Sequence, residues 1–101
     1  MGNIEFYIKE NSWLAKIAAI KLRTDAVAIV LGKTIHLYHT PKDEFLQNKK
    51  WLTHELCHVK QYKQHGLIGF IFKYLYESIR HGYHNNRFEI EARNAAKENN
   101  S

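Results

Sequence analysis

The segment His54-Glu55-Leu56-Cys57-His58 constrains this chain more than any other. Residues four apart on an α-helix stand one turn apart on one face, so both imidazoles can reach a single point, while Glu55 is rotated by about 100° beside it. The neighbouring Leu52, Leu56 and Val59 supply the apolar positions that a buried helix needs. Two imidazoles and an adjacent carboxylate in this spacing form the donor set of a zinc site in which the carboxylate handles a water. Zinc is the expected cofactor, with His54 and His58 as ligands and Glu55 as general base and acid.

A catalytic zinc needs a third protein ligand and an open position. His65 lies seven residues beyond His58, about 10 Å along a helix, too far for metal bonds of about 2 Å to meet. Gln61 and Gln64 stand where the extended metzincin motif would place Gly and His. The ligand must come from further along the chain, and Glu89 and Glu91 are the candidates. Two residues apart on a helix, they point to nearly opposite sides, so only one of them can bind.

The rest of the chain supplies a scaffold. Asn11 and Ser12 offer capping oxygens ahead of Trp13, Leu14, Ile17, Ala18 and Ile20, which predicts an amphipathic first helix with Trp13 in the core. The stretch Ile4 to Ile8 alternates but is short, and reads as a strand or a helix start. Ala26 to Leu31, a Gly32-Lys33 turn and Thr34 to His39 predict a hairpin. Its first strand is apolar on both faces and is expected inside the sheet; its second is half polar and is expected at an edge, open to an extended peptide. Thr40 as cap and Pro41 at the first helical position begin a short helix that breaks near Asn48. A longer helix then runs through Gln64 and ends at His65-Gly66. Leu67 to about Arg80 forms a third helical stripe, His81 to Asn86 has turn chemistry, and a last helix reaches about Lys97. Helix, hairpin and further helices make an α+β chain, with one domain expected over residues 1–101.

Taken together, His54-Glu55-Leu56-Cys57-His58-Val59, Gln61-Tyr62, Tyr83, Asn85-Asn86 and Phe88-Glu89-Ile90-Glu91-Ala92 resemble the minimal gluzincin metallopeptidases, the minigluzincins. Leu31 to Leu37 and Phe45-Leu46 fit the same pattern. The resemblance implies a zincin-like fold: a backing helix, a small three-stranded sheet with an antiparallel edge strand, an active-site helix and a C-terminal glutamate helix. It also implies Glu89 as the third zinc ligand and hydrolysis of peptide bonds as the activity. Gluzincins usually carry Asp four residues after the ligand Glu, where it orients a zinc histidine; this chain has Arg93. That replacement supports an alternative: a catalytically weak or inactive zinc-stabilised module for binding or secretion.

Tyr83, with His81 and His84 beside it, is the first candidate to stabilise an oxyanion. Cys57 reads as a small buried hydrophobe, and His36 and His39 as solvent-facing. Trp51 reads as core. Lys49, Lys50, Lys60 and Lys63 read as a solvated face. The net charge of +5 favours acidic partners, but the basic residues are scattered and no nucleic-acid motif occurs, so peptide or protein is the expected partner. No apolar run reaches membrane-spanning length and no secretory signal is read at the start, so a cytoplasmic address is expected. The apolar residues from Leu67 to Tyr76 exceed one helix face, and any exposed remainder would serve a partner. The tail from Lys97 to Ser101 is a conceivable inhibitory segment.

Overall fold

The structure, a computed structural model, describes residues 5–98. Ile4 and the tail beyond Glu98 lie outside the described residues. Eight elements follow one another among the described residues: β1 (Tyr7–Lys9), α1 (Trp13–Leu22), β2 (Val27–Leu31), β3 (Thr34–Tyr38), α2 (Lys42–Gln47), α3 (Lys49–His65), α4 (Leu67–His81) and α5 (Arg87–Glu98). The architecture is α+β, five helices around a small mixed sheet. No helix among the described residues is long and apolar enough to cross a membrane.

The strands lie in the order β1-β3-β2. β3 pairs with β1 in parallel, Ile8 beside Ile35, and with β2 in antiparallel register, Ile29 beside His36. The hairpin is as expected, turned at Gly32, whose φ of 67° suits a residue without a Cβ. The lateral placement of its strands is the reverse of the expectation. Thr34 to Tyr38 is the central strand, and Val27 to Leu31 is the antiparallel edge. The apolar character of β2 on both faces records helices packed above and below it, and says nothing of whether a third strand pairs beside it.

Alternation along β2 and β3 sends side chains into two cores. Ile35 and Leu37 meet Phe45 and Val59, with Ala28, Val30, Trp51, Leu52 and Leu56 around them. On the other face Val27 meets Ala15 and Ala19 of α1, joined by Ile29 and Tyr38. α1 therefore buries its alanines, which let the helix approach the sheet closely. Trp13 corrects the sequence expectation: it is 69% exposed, whereas Trp51 packs edge-on against Phe45 with ring centroids 5.2 Å apart.

Capping positions the helices that matter for the site. Ser12 Oγ accepts from the Ala15 amide at the start of α1 and lies 2.9 Å from His36 Nδ1. His36 is thus half-buried, and His39 is exposed as expected. Pro41, rather than Thr40, occupies the cap position of α2. Asn48 ends α2, and its Oδ1 accepts from the Trp51 amide at 3.1 Å to open α3. Gly66, at φ 80°, separates α3 from α4. Only the inward side of α4 is covered: Phe70 is buried, while Ile68, Phe72, Tyr76 and Ile79 are exposed.

Candidate metal centre

α3 carries His54 and His58 on one face, as the four-residue spacing requires, and their rings stand 5.2 Å apart. α5 packs against α3 and brings Glu89 to the same point. Asn86 fixes where α5 begins. Its fully buried side chain donates to Tyr74 O and Ser78 Oγ, each at 3.0 Å, and accepts from the Phe88 amide at 2.8 Å. One amide thus joins α4 to the first turn of α5, three residues before the carboxylate of Glu89.

Glu89 Oε1 lies 3.1 Å from His54 Nε2 and 3.2 Å from His58 Nε2. One donor atom from each residue falls within 4.8 Å of the others, so the group can hold a metal ion. Ligand bonds of about 2.0–2.1 Å in a tetrahedron leave about 3.3 Å between neighbouring donor atoms. The two separations are close to that edge, and the donor set, two imidazoles and a carboxylate, suits a divalent cation. Glu91 is not in the group; its Oε1 accepts from Gln61 Nε2 of α3 at 2.7 Å instead.

The electrostatics of these atoms follow from burial and mutual contact. Burial alone would raise Glu89, but hydrogen bonds from His54, His58 and Tyr74 and the charge of His58 outweigh it and hold the carboxyl well below the usual range. Burial disfavours the His58 imidazolium, yet the bond to Glu89 and its charge leave that group raised. Glu55, only 6% exposed, is pushed up to about 7 by burial against the pull of His58 and His54. Tyr74 O–H donates to Glu89 Oε2, leaving Oε1 to the two imidazoles. Burial and the charge of Glu89 hold its phenol far above the ordinary value.

These groups line a cleft of about 400 Å³ whose remaining surface is mostly apolar: Leu14 and Leu22 from α1, the whole of β2, and Ile71 and Leu75 from α4. Tyr83 lines it as well. The residue is 54% exposed overall, but burial and the nearby carboxylates of Glu89 and Glu55 push its phenol up to about 12. His81 and His84 are exposed and do not line the cleft. His65 stacks near Phe70 and Phe88, away from the other two histidines.

The sequence profile of the eCIS core domain matches residues 14–66, just over half of the chain. The chain belongs to the eCIS core domain family. No curated protein and no solved structure matches it. The eCIS core match runs from α1 to the end of α3, so it takes in His54, Glu55 and His58 and stops before Tyr74, Tyr83 and Glu89.

Two contributors escaped the sequence reading. Tyr74 lay hidden in an apolar stripe, although a buried phenol needs a partner for its hydroxyl. Gln61 carries no signal beyond its place about one helical turn after His58, where the structure buries it. Cys57 is the buried small residue expected, and its thiol is pushed up to about 11 by burial. Arg93, at the position of the usual Asp, reaches away from the donor atoms: its Nη2 donates to His84 O at 2.7 Å and ties down the loop before α5.

Proposed function

We propose that this eCIS core protein is a zinc-dependent metallopeptidase of zincin-like fold, with His54, His58 and Glu89 as ligands and Glu55 as general base and acid. The observation that carries the reading is the meeting of His54 Nε2, His58 Nε2 and Glu89 Oε1 in an apolar cleft beside a buried, proton-hungry carboxylate. The minigluzincin resemblance supports it through the Glu-x-Glu-Ala setting of Glu89.

When bound, the cation would supply a Lewis acid that polarises a peptide carbonyl and acidifies a water. The protein residues handle the protons. The Glu55 carboxylate, raised to about 7, takes a proton from the attacking water and later gives it to the leaving nitrogen. Tyr83, half-exposed in the cleft, would turn its hydroxyl from the Glu89 carboxylate to a developing oxyanion, whereas buried Tyr74 holds Glu89 Oε2. The half-buried apolar side chains of Leu14 and Ile71 screen these groups from water on one side of the cleft. Backbone on the open side of β2 faces this cleft, so an extended peptide would add there as a further strand. That role belongs to Val27 to Leu31, not to the buried central strand at Thr34 to Tyr38.

A second reading is favoured by the family and by Arg93: a zinc-stabilised module, catalytically weak or inactive, associated with an extracellular contractile injection system. Glu55→Gln separates the two. It keeps size and removes the proton acceptor, so cleavage of a diverse peptide library should fall by roughly a hundredfold to ten-thousandfold while bound zinc persists. Cleavage by the wild type that chelator abolishes supports the peptidase. A zinc-loaded wild type that cuts nothing in the library hands the site to the second reading.

A further inference from the structure

Gln61 is only 2% exposed, yet each polar atom of its side chain is engaged. Its Nε2 donates to Phe88 O at 3.1 Å and to Glu91 Oε1 at 2.7 Å, using both amide hydrogens on acceptors from α5. Those two acceptors fix which end of the amide points where, so the oxygen is the end that faces His58. Oε1 lies 2.8 Å from His58 Nδ1. A carbonyl oxygen can only accept, so the proton of this bond sits on Nδ1; Nε2, which donates to the Glu89 carboxylate in the metal-free protein, is then the nitrogen whose lone pair is left for a cation held with Glu89 and His54.

We infer that Gln61 is the positioning residue that fixes the tautomer and ring orientation of His58, with Glu91 and Phe88 O holding Gln61 in place. This rests on the cation reading of His54, His58 and Glu89. It also gives the second carboxylate of the Glu-x-Glu pair a role. Glu91 points away from the ion, and it acts through Gln61 on the far side of His58. The position four residues after Glu89 has no such part, because Arg93 is engaged with His84 O. A contact of this kind on a ligand histidine typically changes metal affinity by 10–100-fold.

The test uses the full chain, Co2+ as probe and two readouts. Co2+ absorption titrations are run on wild type, Gln61→Leu, Gln61→Asn and the exchange Q61E/E91Q; the Nδ1–H resonance of His58 is read by 15N NMR in metal-free protein. Gln61→Asn keeps a buried amide but withdraws it by one methylene, and serves if Gln61→Leu does not fold. Both single variants should bind Co2+ 10–100-fold more weakly at unchanged stoichiometry. The exchange variant restores an acceptor at 61 and a donor at 91 but gives Phe88 O no donor, so it should bind Co2+ more tightly than either single variant without reaching wild type. The Nδ1–H signal should be present in wild type and the exchange variant, and absent in Gln61→Leu. Wild-type affinity in Gln61→Asn, or a wild-type His58 without a proton on Nδ1, overturns the inference. A wild type that shows the Nδ1–H signal and binds no Co2+ overturns the cation reading instead, and leaves the hold of Gln61 on His58 standing.

Discussion

Glu55→Gln has a consequence for stability as well as for chemistry. Glu55 is 6% exposed, and burial raises its carboxyl from an ordinary 4.5 to about 7. An acid raised in the folded state holds its proton more tightly there than in the unfolded chain. Its burial therefore costs nothing well below pH 4.5, costs progressively more as pH rises toward 7, and costs a constant amount above that. At about 1.4 kcal/mol per pH unit, the full cost is about 3 kcal/mol by pH 8 and under about 1 kcal/mol at pH 5. Glutamine cannot ionise, and its oxygen can still accept the hydrogen bond that Trp51 makes to Glu55. Chelator-treated Glu55→Gln should thus be more stable than wild type by about 3 kcal/mol at pH 8, with most of that gain gone at pH 5. Urea denaturation at the two pH values measures it. An equal difference at both, or a variant less stable than wild type at pH 8, would refute the claim that desolvation dominates at Glu55.

Glu89→Ala should remove tight zinc binding, whereas Glu91→Ala should weaken it only by the smaller factor transmitted through Gln61; calorimetric zinc titration distinguishes them, and the reverse order would move the ligand to Glu91. Asn86→Ala removes three hydrogen bonds from a fully buried side chain and leaves the Phe88 amide without that acceptor, so unfolding free energy should fall by about 2–3 kcal/mol. Urea denaturation checks this, and a loss below about 0.5 kcal/mol would show that water replaces the amide.

Much of the candidate site was legible because helical spacing is local. His54 and His58 share a face of α3 through one turn of helix, and that periodicity stands in the sequence whatever surrounds it. The helices themselves were readable from caps and breakers at Ser12, Asn48 and Gly66. Glu89 was different: spacing alone left it level with Glu91, and the minigluzincin resemblance implied the choice. In the structure it is Asn86, anchored to α4, that sets the start of α5 and so the face on which Glu89 emerges.

The order of the strands was not legible, since β1 offers only Tyr7 to Lys9 and its pairing with β3 joins residues far apart in the chain. Trp13 misled for a related reason. Burial of a large aromatic is the usual outcome, but α1 meets the sheet through Ala15 and Ala19, and the choice between the two faces depends on what lies opposite. The sequence by itself determined the helices, the hairpin and the spacing of His54, Glu55 and His58, because backbone geometry repeats every few residues; it left the short segment that forms β1 open between strand and helix. Only the tertiary structure decided that β2 is the edge beside the cleft, that Glu89 rather than Glu91 meets the histidines, and that Gln61 and Tyr74 stand behind them. Those facts depend on the packing of α4 and α5 against α3, which joins atoms that no local period relates.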